Sequence, residues 1–277
     1  MGFCLAVPSF SGRHSGDGAE ALRTSIYLWQ RVWSAPVRNA VREAGPHVDS
    51  LMILVGELGS GEVRPDWETI ATVDRPVTLV IRIPELFGEE MKEDTLQPFV
   101  GKLTNWFSAM AGSASAEGVR IAGVQLDYDC PTSKLSRYGD FLEAFRCALP
   151  DTTPSFTVLP TWLRADTFKP VARNADYFVL QVHSLEAPTS VDSPMRPCDV
   201  SKLDAYLDAA SAVGVPYHLA LPTYGYHVAF DGEGGFAGLS PEGPTPAQKI
   251  LLNPTFPMGQ SRFRGTRDYS RSTGLTK

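Results

Sequence analysis

Over residues 123–131 the chain reads Gly-Val-Gln-Leu-Asp-Tyr-Asp-Cys-Pro. Gly123, Val124 and Leu126 have the character of a buried strand. Gln125, Asp127 and Asp129 alternate with the apolar positions, so on a strand all three point to one face. Two carboxylates on one face are costly in an apolar core. They suit a cleft at the carboxyl end of a parallel strand, where such sheets keep their chemistry. Two residues of extended chain separate their Cα atoms by about 6.5–7 Å. Crowding of that kind favours one protonated and one ionised carboxyl, the pairing used for acid–base work at a glycosidic bond. The competing reading is structural, with Arg31 and Arg82 neutralising Asp127 and Asp129 in a buried network.

These residues need elements to hold them. Apolar, strand-like runs recur at 25–32, 50–57, 76–83, 121–129, 155–162, 175–183 and 216–224. Helical patterns lie between them at 36–44, 96–111, 137–148 and 199–213, the last opening on Asp199 and stopping before Gly214. Tyr138, Phe141, Leu142 and Phe145 form one stripe. Alternating strands and helices imply an α/β fold with a parallel sheet, and seven strands in this rhythm suggest a (β/α)8 TIM barrel; a doubly wound open sheet is the alternative. The eighth strand is expected to be missing or replaced by the C-terminal tail.

In a barrel the strand ends converge on one mouth. Alternation directs Tyr27, Trp29, Arg31 and Trp33 there from the first run, Glu57 from the second and Arg82 from the third. Gln125, Asp127 and Asp129 follow from the fourth, Trp162 from the fifth, Gln181 and His183 from the sixth, and Tyr224 from the seventh. Carboxylates supply acid, base or nucleophile. Trp and Tyr offer flat apolar faces to sugar rings, and Arg, Gln and His fix hydroxyls. Asp129, nearest the mouth, is the expected general acid. Asp127 would orient it, and Glu57 is the reserve carboxylate. Trp29, Arg31, Trp33, Arg82, Gln125, Trp162, Gln181, His183 and Tyr224 are the expected substrate-binding set. A metal-assisted site of Asp127, Asp129 and His183 is a weaker alternative. No P-loop, dinucleotide fingerprint, Gly-x-Ser-x-Gly or His-Glu-x-x-His pattern occurs, and no cofactor or metal is expected.

The length of 277 residues suits one barrel, and a net charge of −6 argues against nucleic acid or an anionic membrane as partner. No apolar run is long enough to span a bilayer. Four cysteines, Cys4, Cys130, Cys147 and Cys198, form no Cys-x-x-Cys pair, and only Cys130 lies beside the acids. Three regions are expected: an N-terminal extension at 1–23 that could be the remnant of an export signal, the barrel at 24–244, and a basic tail at 245–277. The tail holds six basic residues against the single acid Asp268. Its composition is read as a lost reading frame that removes the last strand and helix, with poor solubility or low stability as the consequence; an ordinary basic extension is the alternative. The compartment stays open: cytoplasmic for the chain as it stands, periplasmic or envelope-associated if residues 1–23 descend from an export signal.

Five motifs in order, at 26–33, 123–133, 158–163, 180–185 and 219–226, resemble a bacterial domain-of-unknown-function family of glycoside-hydrolase-like TIM barrels. The resemblance covers about residues 24–244. It implies the barrel and a carbohydrate partner, without bringing an established reaction. The strand at 123–131 also resembles the Asp-x-Asp-x-Glu strand of chitinases. Asp127 and Asp129 match its two aspartates, and Pro131 stands at the position of its acid, so the substrate-assisted mechanism of that family is not carried over. A carbohydrate-binding barrel without catalysis is therefore the alternative to a glycoside hydrolase.

Overall fold

The computed structural model describes residues 3–10, 23–182, 198–223, 226–231, 234–241 and 267–268. Short runs dense in Val, Ile and Leu become strands: β1 (Phe3–Phe10), β2 (Ser25–Leu28), β3 (Ser50–Glu57), the two-residue β4 (Gly61–Glu62), β5 (Val77–Ile83), β6 (Ile121–Tyr128), β7 (Pro154–Val158), β8 (Tyr177–Gln181) and β9 (Tyr217–Pro222). From β2 to β9 the long strands pair in parallel, each with the next. β4 folds back antiparallel on the end of β3. β1 stands between β2 and β9, and β2 also pairs with β3, so the strand order returns on itself as a TIM-barrel-like α/β sheet. The seven strands expected from the sequence are all present. The eighth place, which the sequence left empty or gave to residues 245–277, is taken by residues 3–10, assigned above to the extension. An apolar eight-residue segment satisfies the backbone edges that β2 and β9 would otherwise leave open.

The helices cover the outer face of this sheet. α1 (Ala35–Ala44) starts with Pro36 in its first turn and buries Val37 and Val41. α2 (Trp67–Ala71) is capped by Asp66, whose carboxylate accepts the Thr69 N–H at 2.9 Å. α3 (Leu96–Ala116) buries Phe99, Val100, Leu103 and Phe107. α4 (Leu135–Ala148) buries the expected stripe of Tyr138, Phe141, Leu142 and Phe145. α5 (Phe168–Ala172) is short. α6 (Leu203–Val213) starts later than expected, because Val200–Lys202 forms a 3-10 turn, and stops at Gly214 in the left-handed conformation (φ 76°).

Two strands end earlier than the sequence suggested, and both endings redirect side chains. β2 stops at Leu28, so Trp29, Arg31 and Trp33 lie on the loop beyond it. β7 stops at Val158; Pro160 opens a 3-10 turn over Pro160–Arg164, and the alternation that would have aimed Trp162 at the mouth is lost.

By internal contacts the chain divides into Leu5–Val182 with Ser201–Leu221, which is the barrel unit, and Met1–Cys4, His183–Val200 and Pro222–Lys277. In the second unit β10 (Tyr226–Phe230) pairs antiparallel with β11 (Phe236–Pro241) and with the two-residue β12 (Arg267–Asp268). Among the described residues no helix is long and apolar enough to cross a membrane.

Candidate functional site

Register sets the first relation between the chemical groups. Glu57 of β3 stands opposite Arg82 of β5, and Arg82 opposite Asp127 of β6. Asp127 is 1% exposed and accepts from three neighbours. Arg82 Nη1 reaches Oδ2, while Thr157 Oγ1 of β7 donates to Oδ1 at 2.8 Å and Gln181 Nε2 of β8 at 3.1 Å. Burial pushes the Asp127 carboxyl above its ordinary value, with Asp129 adding repulsion; Arg82 and Thr157 oppose the rise. Burial also works against the Arg82 charge, but Asp127 and then Asp129 outweigh it and the guanidinium is held more firmly protonated.

The second Arg82 nitrogen, Nη2, reaches Asp129 Oδ2 at 3.1 Å. The side chains of this pair are 37% and 45% exposed. Asp129 lies one residue past the end of β6, and Pro131 leads into the next turn. The mouth-facing positions of the strand are therefore Gln125, Asp127 and Asp129, from deep to shallow, and Asp129 is the outermost. The two ion pairs differ in kind. Removing one partner of a buried, hydrogen-bonded pair costs about 3–5 kcal/mol, whereas an exposed pair is worth about 0–1 kcal/mol.

Beneath this belt, the Tyr27 hydroxyl donates to Gln125 Oε1 at 2.6 Å, and Gln125 Nε2 donates to Ser155 Oγ at 3.4 Å. Ser155 in turn donates to the Val124 carbonyl at 3.2 Å. Gln125 is thus a fully buried support and not a surface for substrate. On the rim Trp29 stacks on Tyr27 with ring centroids 5.8 Å apart. Arg31 forms an ion pair with Glu57. Trp33 is partly exposed, and its carbonyl accepts from Arg38 Nη1 at 2.5 Å.

Trp162 is a correction. Expected to stack on substrate, it is fully buried on the outer face of the sheet, where Nε1 donates to the Cys130 carbonyl at 3.0 Å and the ring packs on Tyr138 and Phe168. Cys130 is also buried, and burial pushes its thiol up to about 12, which makes it a poor nucleophile at neutral pH. His183 and Tyr224 lie outside the described residues. Thr157 was missed by sequence reasoning. The alternation of Ser155 and Thr157 in the fifth run is the available signal. Among the described residues no group of three His, Cys, Asp or Glu side chains is placed to hold a metal ion.

The model of a domain of unknown function, DUF3142, matches residues 73–251. The chain belongs to the DUF3142 family. This family segment contains Arg82, Asp127, Asp129, Thr157 and Gln181, and Glu57 precedes it. No curated protein matches the sequence. Among solved structures, the DUF3142 chain is similar to the Bacillus cereus spore cortex-lytic enzyme SleL, with TM-score 0.53 and 16% identity over 82% of this chain and 56% of that one. It therefore spans little more than half the length of that enzyme. A class V chitinase from Nicotiana tobaccum gives TM-score 0.51 and 15% identity over 79% of this chain and 72% of that one. A chitinase-like agglutinin from Robinia pseudoacacia gives TM-score 0.51 and 15% identity over 77% and 76%. At these identities the likeness is one of fold, shared with a spore cortex-lytic enzyme, a chitinase and a chitinase-like agglutinin.

Proposed function

We propose that the barrel mouth of this DUF3142 protein cleaves a glycosidic bond in a polysaccharide or oligosaccharide, with Asp129 as the proton donor. The observation that carries this reading is the pairing of two unlike carboxyls at the carboxyl end of β6. Asp127 is buried and held by three donors, and Asp129 stands half-exposed above it. A fixed lower carboxyl can orient its neighbour and stabilise positive charge developing on the sugar, while the upper one reaches the leaving oxygen. Trp29 and Trp33 supply apolar faces on the rim, Arg31 and Glu57 a polar wall, and Gln181 a further polar contact. His183 and Tyr224 complete the proposed set from sequence alone.

The test is release of new reducing ends from a panel of bacterial polysaccharides and from NAG4, the oligosaccharide present in the complex of a tobacco chitinase variant. Asp129→Asn should lower release about 100-fold or more. Unchanged release would remove Asp129 from the reaction. A second reading, saccharide binding without cleavage, is favoured by one observation: Arg82 already engages both carboxyls. It expects saturable binding and no product from wild type or variant.

A further inference from the structure

The two arms of Arg82 are anchored unequally. Nη1 holds a carboxyl that is 1% exposed, lies within the β5–β6 ladder and accepts two further hydrogen bonds. Nη2 holds a carboxyl that is 45% exposed and stands beyond the last ladder residue, Tyr128. The backbone after Tyr128 leaves the sheet at once, with the Cys130 N–H donating to the Tyr128 carbonyl at 2.9 Å. One end of the bridge is therefore fixed by the fold, while the other is open to water and competes with any hydroxyl that arrives.

Resting on the saccharide reading of the mouth, we infer that Arg82 is a positioning residue that works as a two-armed latch: Nη1 stays on Asp127 while Nη2 leaves Asp129 as the sugar enters. The exchange conserves hydrogen bonds. A sugar hydroxyl donates to the vacated Asp129 Oδ2, and a sugar oxygen accepts from the released Nη2. Guanidinium has donors and no acceptor, so it cannot accept from a sugar hydroxyl; Oδ2 of the freed Asp129 carboxyl does that instead and leaves Oδ1 for the proton given to the leaving oxygen. Ligand entry and unmasking of Asp129 are then one event. The mouth keeps its charges neutralised when empty and presents a carboxyl when filled.

The test follows the Arg82 guanidinium signals by low-temperature 15N NMR in the full chain, assigned by their loss in Arg82→Lys. In ligand-free Asp129→Asn, only the Nη2 hydrogens should lose protection, by 10-fold or more, with Nη1 unchanged. Saturating NAG4 on the wild type should shift the Nη2 signals, as that arm changes partner, and leave the Nη1 signals unmoved. Loss of both arms together in Asp129→Asn, or of neither, overturns the latch. So does calorimetric binding of NAG4 with both arms unmoved. If neither NAG4 nor any polysaccharide of the panel binds, the exchange falls together with the saccharide reading. The ligand-free result identifies that case, because the inequality of the arms is read without sugar.

Discussion

The two faces of β6 solve the problem of burial in opposite ways. On the inner face Gln125 and Asp127 are 0% and 1% exposed, and their hydrogen-bond partners are polar side chains: Tyr27 and Ser155 for one, Arg82, Thr157 and Gln181 for the other. On the outer face Val124, Leu126, Tyr128 and Cys130 are just as deeply buried but lie under helices and rings, with Tyr138 centred 5.1 Å from Tyr128 and 6.0 Å from Trp162. There the Tyr138 hydroxyl has no hydrogen-bond partner among the described residues. The inner face depends on particular atoms meeting. The outer depends on volume and apolar area, and tolerates a polar atom left over at its edge. Chemistry is better built on the first, where several polar side chains are each held in a fixed direction.

The comparison is tested most severely at its centre. Asp127→Ala leaves the inner half of the Arg82 guanidinium without its carboxylate and removes the acceptor for Thr157 and Gln181. A loss of about 3–5 kcal/mol in urea unfolding is expected. Trp162→Ala on the outer face should cost a similar amount, about 3–5 kcal/mol, through the cavity it leaves. The faces separate in what rescues them. Trp162→Phe, which refills most of the ring volume but not the bond to the Cys130 carbonyl, should recover most of the outer loss. Asp127→Leu, which is also bulky and apolar, should not recover the inner one, since Arg82 remains beside it. Full recovery with Leu would show that the inner belt is held by packing as well.

A third measurement sharpens the inner face by pH. His218 of β9 stacks on Tyr177 of β8 with ring centroids 4.5 Å apart, and burial lowers its pKa to about 4 from 6.5. The folded state thus binds fewer protons than the unfolded between these values. Stability is full above 6.5 and falls as the pH drops toward 4, by up to about 3 kcal/mol. Asp127 runs the other way: raised in the fold, its contribution is fullest below the unfolded value of 3.8 and declines as pH rises through its folded midpoint. His218→Phe should remove the fall between pH 6.5 and 4 and leave the Asp127 trend. Identical pH–stability curves for wild type and variant would contradict a buried neutral His218.

How far the sequence reached follows the same division. Period-two alternation in 121–129 was enough to set Gln125, Asp127 and Asp129 on one face, because the strand there runs nearly as long as the pattern. It misplaced Trp162, because alternation says nothing once Pro160 turns the chain into a 3-10 helix. It also missed the sheet role of residues 3–10, whose apolar run reads equally as a leader segment; a gap between β2 and β9 is visible only when all the strands are set in order. The triple clasp on Asp127 draws Arg82, Thr157 and Gln181 from three other strands, and no local pattern in the chain brings them together.

The smallest effect probes the leftover polar atom. Tyr138 is 1% exposed, its hydroxyl has no hydrogen-bond partner among the described residues, and its ring packs edge-on against Tyr128, Phe156 and Trp162. Burial, with Cys130 and Asp127 adding repulsion, holds the phenol well above its ordinary pKa, so it stays protonated throughout. Tyr138→Phe keeps every ring contact and removes only a desolvated hydroxyl. Unfolding stability should be unchanged or raised by about 1 kcal/mol, since an unsatisfied buried group costs about 1–3 kcal/mol and the vacated volume returns part of that. A loss greater than about 1 kcal/mol would mean that the hydroxyl bonds to an ordered water. The outer face would then carry a second directed polar contact beside the bond from Trp162 Nε1 to the Cys130 carbonyl, and the contrast between the two faces of β6 would be one of degree.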